Sequence, residues 1–168
     1  MLDTHIPLAI PTKILLPIDF SPASHKSLEI AAGLALYFHA ELFLVNVIPE
    51  MATLASEYAA PPLQFQYEDK GKAEKRLESV KSVLSTRGVN AGFSVEVGND
   101  TVASIMEVVF RENIDFLVIS THGISDWSVF GSKSEKVIKH FQWPILLLHS
   151  TKTVNVGENV ESDSGGWW

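Results

Sequence analysis

Four apolar runs and one alternating stretch, separated by segments with helical spacing, set the outline of this chain. Lys13-Ile14-Leu15-Leu16-Pro17-Ile18-Asp19 is almost continuously apolar, as expected of a strand covered on both faces. Pro17 lacks a ladder donor, which suits it to the end of such a strand. Ser21-Pro22 supplies an N-cap followed by proline in the first helical turn. The helix it opens runs to about His39, with Leu28, Ala31, Ala32, Ala35, Leu36 and Phe38 expected in the core. Leu42-Phe43-Leu44-Val45-Asn46-Val47 is a second buried strand. Residues 48–66, with Pro49, Pro61 and Pro62, are the least regular stretch and leave room for a short helical turn at Met51 to Tyr58. A charged amphipathic helix over Lys70 to Arg87 follows, apolar at Leu77, Val80, Val83 and Leu84 and ended by Gly88. Phe93 to Val97 alternates like a half-exposed strand, and Asn99-Asp100 caps a helix with Val102, Ile105, Met106, Val109 and Phe110 at core spacing. Phe116-Leu117-Val118-Ile119 is a fully apolar strand leading into a short loop, Ser120-Thr121-His122-Gly123. Gly131-Ser132 opens a last helix, and Trp143-Pro144 breaks the chain before the final strand, Ile145-Leu146-Leu147-Leu148-His149.

Strands alternating with helices predict an α/β fold in which right-handed crossovers lay helices on both faces of a parallel sheet. There is no internal repeat. Residues 1–150 read as one domain, and 151–168, polar, acidic and glycine-containing, as a tail expected to be disordered. The two most uniformly apolar strands, around Ile14 and Leu117, belong at the centre of the sheet. If they are neighbours, the chain order reverses between them, and such sheets bind ligands in the crevice outside the strand ends at that point. Asp19 and Thr121-His122-Gly123 would stand there.

Charge and composition narrow the function. The net charge of −7 offers no basic surface to displace counterions from a phosphate backbone, so a nucleic-acid partner is not expected. The lysines of the Lys70 helix are interleaved with Asp69, Glu74 and Glu78 as on a solvated helix face. No apolar run approaches the roughly 20 residues of a membrane span, and the start of the chain lacks the pattern of a signal peptide. The absence of cysteine removes disulfides and thiolate chemistry and fits a reducing compartment. The expected location is cytoplasmic, with no membrane partner.

The most informative stretch runs from Ser120 to Ser132. Gly123 and Gly131 permit close backbone approach, and Gly131-Ser132 presents free N–H groups at a helix start, where an anion is favoured. Neither a Walker loop nor a Gly-x-Gly-x-x-Gly fingerprint is present. No His-x-His or His-Glu-x-x-His pair points to a metal. His122 beside Asp19 reads more simply as a loop residue than as a proton shuttle, and Asp19 itself sits where an aspartate stabilises a helix start. Nothing in the sequence positions an attacking water, so an enzyme, a weak ATPase, is the third reading.

The segments Lys13 to Ser21, Val118 to Gly123, Gly131-Ser132-Lys133-Ser134-Glu135-Lys136-Val137 and Trp143 to Leu148 together resemble the universal stress protein family, in the same order over residues 12–149. The resemblance implies a three-layer αβα domain with a five-stranded parallel sheet of order 3-2-1-4-5, and a homodimer formed through the last strand, Ile145 to His149. It also implies ATP, with Mg²⁺ as its companion, at the switch point. Asp19 would lie by the ribose and adenine, and Val47 would meet the base through its backbone. Gly123 would line the phosphate loop, Gly131 with Ser132 would hold phosphates, and Ser120, Thr121 and His122 are further nucleotide-binding candidates. ATP-binding members carry Gly-x2-Gly-x9-Gly-[Ser/Thr]. Here Ser120 replaces the first glycine, Lys133 replaces an apolar residue, and only Ile124 to Phe130 separates Gly123 from Gly131, two residues fewer than the pattern. Within that shortened loop, Trp127 is placed to stack on adenine or to take its place. The resemblance implies a dimeric, nucleotide-binding stress-response regulator; the alternative is a dimeric interaction module of the same fold without nucleotide.

Overall fold

The computed structural model describes residues 10–50, 70–121 and 139–149. In chain order these contain β1 (Lys13–Pro17), α1 (Pro22–Phe38), β2 (Glu41–Ile48), α2 (Lys70–Thr86), β3 (Ala91–Val97), α3 (Thr101–Arg111), β4 (Phe116–Thr121) and β5 (Ile145–His149). The strands form one five-stranded sheet of order β3-β2-β1-β4-β5, and every neighbouring pair is parallel. The expected turn at Met51 to Tyr58, the tail and the start of the last helix lie outside the described residues; Lys139 and His140 are helical.

Side chains alternate across a strand, so the apolar runs feed two cores. On one face Ile14, Leu16, Leu42 and Leu44 pack with Ala31 and Ala35 of α1 and Leu77, Val80 and Leu84 of α2. On the other, Leu15, Phe43, Val45 and Leu117 pack with Val102, Ile105, Val108 and Val109 of α3. Helices on both faces make the three layers. Each fully buried Leu or Ile contributes about 2 kcal/mol from removal of apolar surface from water, which is why β1, buried on both sides, sits at the centre.

The local signals act as expected at the helix ends. Ser21 is the N-cap of α1, its Oγ accepting from Ser24 N–H at 3.2 Å. His39 closes α1 at φ 55°, and Gly88 turns the chain after α2 at φ +79°, where a side chain would be strained. Asp100 caps α3 by accepting from Val102 and Ala103 N–H at 2.9 and 3.1 Å.

Three expectations need correction. Leu36 is 43% exposed and Phe110 64% exposed; both stand in the last turns of their helices, and Phe110 instead sets its ring edge-on to Trp143, with centroids 6.3 Å apart. Ser120 and Thr121 are strand residues, because β5 extends the ladder to pair Ser120 with Leu148 and Thr121 with His149.

Candidate functional site

In a parallel sheet all strands end on the same edge. After β1 the chain builds β2 and β3 outward on one side, then returns through β4 on the other, so the crossovers diverge at the β1–β4 boundary. The pairing parts there as well. With β2, β1 pairs from Lys13–Glu41 through Pro17–Val45, and Ile18 N–H extends the ladder to the Val45 carbonyl at 2.8 Å. With β4 it pairs at Ile14–Phe116 and Leu15–Leu117. Pro17 supplies the reason. Ile18 N–H faces β2, so the preceding residue faces β4, and a proline there has no proton to donate. The end of β1 stays with β2 and leaves β4, at the switch point where sheets of this kind take ligands in a crevice.

Asp19, exposed, follows immediately. Its carboxylate Oδ1 accepts from Ser21 N–H at 3.0 Å and, in a short contact, from the Ser24 hydroxyl. Its own N–H donates to Ser24 Oγ at 3.2 Å. Between Asp19 and the cap, Phe20 takes φ 58°, a conformation costing a non-glycine residue on the order of 1–2 kcal/mol. Its ring is covered by the Arg76 guanidinium of α2, 4.0 Å from the centroid. From β2, Asn46 Nδ2 donates to the Ile18 carbonyl at 2.8 Å. The aspartate therefore does hold the helix start, as its position predicts, beside the point where β1 leaves β4.

Asn46 and Ser24 are residues that the sequence reading did not single out. With Ser27 they are the buried polar side chains among the described residues. Asn46 belongs to the carboxyl end of β2, and Ser24 and Ser27 to the first turns of α1. A lone asparagine inside Leu42–Ile48 is the signal that marks this polarity. Asn46 Oδ1 is buried with no hydrogen-bond partner among the described residues.

Of the expected site residues, Asp19, Val47, Ser120 and Thr121 lie at the carboxyl ends of β1, β2 and β4. Val47 is half-buried against the α3-side core and pairs with Glu96 of β3. His122, Gly123, Gly131 and Ser132 lie outside the described residues, as does Trp127. A groove of about 310 Å³ between α1 and α2, walled by Leu28, Ala32, Leu36, Val80, Val83 and Leu84, contains none of these residues and is separate from the crevice.

A model of the universal stress protein family matches residues 11–149. The universal stress protein YxiE of Bacillus subtilis is 27% identical over 145 residues, covering 81% of this chain and 97% of its own. Among solved structures, the hypothetical protein MJ0577 aligns with a TM-score of 0.69 at 22% identity, over 86% of this chain and all (100%) of its own; the protein of that name is from Methanocaldococcus jannaschii. The universal stress protein from Archaeoglobus fulgidus in complex with dAMP aligns with a TM-score of 0.57 at 18% identity, over 83% of this chain and 98% of its own.

Proposed function

The chain belongs to the universal stress protein family, and on that premise we propose that it binds an adenine nucleotide, ATP by preference, at the β1–β4 crevice and serves as a dimeric stress-response regulator. The observation that carries this reading is the tethered Asp19 turn standing at the point where β1 parts from β4. A carboxylate held by two donors on one oxygen is preorganised to receive ribose hydroxyls with little further ordering cost. The residues present fit the ligand. Asp19 would meet the ribose, the Val47 backbone the base, and Ser120 and Thr121 would close the strand side of the crevice. His122, Gly123, Gly131 and Ser132 would surround the phosphates with backbone N–H groups, and Mg²⁺ would arrive on the triphosphate. A family relative has been solved in complex with dAMP, which supports an adenine ligand.

The dimer rests on β5. It lies at the sheet edge beyond β4, and Leu147 is 49% exposed on it. A second copy offering the same strand antiparallel would satisfy both open ladders. The shortened Ile124–Phe130 spacer favours a second reading, in which the fold works through this dimer surface without nucleotide.

Mass spectrometry of small molecules released from freshly purified protein distinguishes the two readings. An adenine nucleotide is expected from the wild type, and none from Gly131→Val, whose β-branched side chain blocks backbone approach. Wild-type protein that carries no adenine nucleotide, and takes none up from millimolar ATP, contradicts the nucleotide reading.

A further inference from the structure

We propose that Asn46 is the positioning residue that sets Asp19 for the ribose, an inference resting on the nucleotide reading above. The connection runs through one peptide unit on each side of Ile18. The Ile18 N–H is bound by the Val45 carbonyl at 2.8 Å, and its carbonyl by Asn46 Nδ2 at 2.8 Å. Two consecutive residues of β2 thus hold both backbone polar groups of the residue before Asp19. The next β2 residue is Val47, whose backbone is assigned to the base. Base contact and ribose contact are therefore fixed by one three-residue segment, Val45 to Val47.

Asn46 suits this role for chemical reasons. The chain past Pro17 has left the β4 ladder, Ile18 N–H is its last ladder bond to β2 among the described residues, and Phe20 stands at φ 58°, so a side-chain bond to the Ile18 carbonyl anchors the turn where the ladder ends. A leucine at position 46 would continue the apolar pattern of β2 but could not bond the Ile18 carbonyl. The asparagine does so although it is 5% exposed and its Oδ1 stays buried without a partner among the described residues. A buried acceptor left unpaired is unfavourable for folding. A polar side chain kept at such a place points to a use in the site rather than in the core.

The test compares wild type, Asn46→Leu, Asp19→Asn and the double variant, using ATP and 2′-deoxy-ATP as probes in calorimetric titrations. Wild type is expected to prefer ATP by roughly tenfold, the worth of a well-made charge-assisted hydrogen bond. Asn46→Leu is expected to bring the ratio close to one, with 2′-deoxy-ATP affinity changed less than threefold. Adding Asn46→Leu to Asp19→Asn is expected to leave the ratio where Asp19→Asn alone puts it, as for two residues acting in series. An Asn46→Leu protein that keeps the full preference overturns the proposal while leaving the nucleotide reading intact. A wild type that binds neither probe overturns that reading and this one with it. Amide hydrogen exchange supplies a measurement that needs no ligand. In Asn46→Leu the amides of Asp19, Ser21 and Ser24 should exchange at least tenfold faster while Leu44 and Leu16 keep their protection. Unchanged exchange at Asp19 and Ser21 overturns the proposal.

Discussion

Asp115 accepts the Thr12 hydroxyl proton at 2.6 Å and the Thr12 N–H at 2.9 Å, joining the residue before β4 to the residue before β1. Its Oδ1 also accepts from Lys13 N–H at 2.9 Å. One carboxylate thus closes the β1–β4 boundary at the amino end of the sheet, opposite the end where Pro17 lets it open. Asp115→Ala should lower the unfolding free energy by about 2 kcal/mol, since hydrogen bonds to a charged acceptor are among the stronger ones. Chemical denaturation measures the loss. ATP affinity of the folded variant should be unchanged, because the staple and the crevice sit at opposite ends.

A second consequence of that amino end is acid sensitivity. Lys13 Nζ lies 3.0 Å from Glu112 and 3.4 Å from Glu41. The hydrogen bond from Lys13 holds the Glu112 carboxyl below its usual range against the opposing effect of burial; away from that end, near the carboxyl end of β3, Arg111 does the same for Glu96. A folded-state value below the unfolded one means the unfolded chain binds more protons as the pH falls. The stabilisation is complete above the ordinary carboxylate value of 4.5 and is lost as pH drops through the lower folded values. Glu112→Gln should reduce stability by about 0.5–1 kcal/mol at neutral pH and shrink the difference from wild type below pH 4. Urea midpoints measured across this range check the sign.

Two glycines should respond oppositely to alanine. At Gly33, within α1, an added Cβ meets nothing within 4 Å, so Gly33→Ala should stabilise by roughly 0.5–1 kcal/mol through helix propensity. At Gly92 in β3 the same carbon would lie 2.9 Å from Glu41 Oε1 and 2.9 Å from Phe43 Cδ2. Gly92→Ala should cost about 1–3 kcal/mol by overpacking. Thermal denaturation of the pair decides both.

The strands and caps were legible because each depends on neighbours in sequence. The apolar run of β1, the Ser21-Pro22 helix start and the Asp100 cap are local. The sheet order 3-2-1-4-5 came from the family resemblance, and the structure bears it out. Phe110 and Leu36 show where periodicity stops informing. Spacing identifies a helix face but not what stands opposite its last turn: Leu36 walls the groove between α1 and α2, and Phe110 meets Trp143. Ser120 and Thr121 needed β5, distant in sequence, to become strand. The place of Asp19 just past the carboxyl end of β1 was legible, because it follows an apolar strand. The anchor from Asn46 was not, since a hydrogen bond between residues 28 positions apart leaves no local pattern, and neither does the positive φ of Phe20.

Association through β5 is a separate expectation. Leu147→Lys places charge at the exposed centre of the edge strand and should convert a homodimer to monomer. Light scattering on protein ended after Ser150, with and without that change, measures it. Truncated wild type that stays monomeric at high micromolar concentration contradicts assembly through this strand.

If the turn after β1 receives an adenine nucleotide, it does so through Asp19. Calorimetric titration of ATP into wild type and Asp19→Ala, with circular dichroism confirming that both are folded, tests it most directly. Saturable one-to-one binding is expected of the wild type, and at least tenfold weaker binding of Asp19→Ala. No heat of binding from wild-type protein at millimolar ATP, or equal affinity in the two proteins, would contradict it.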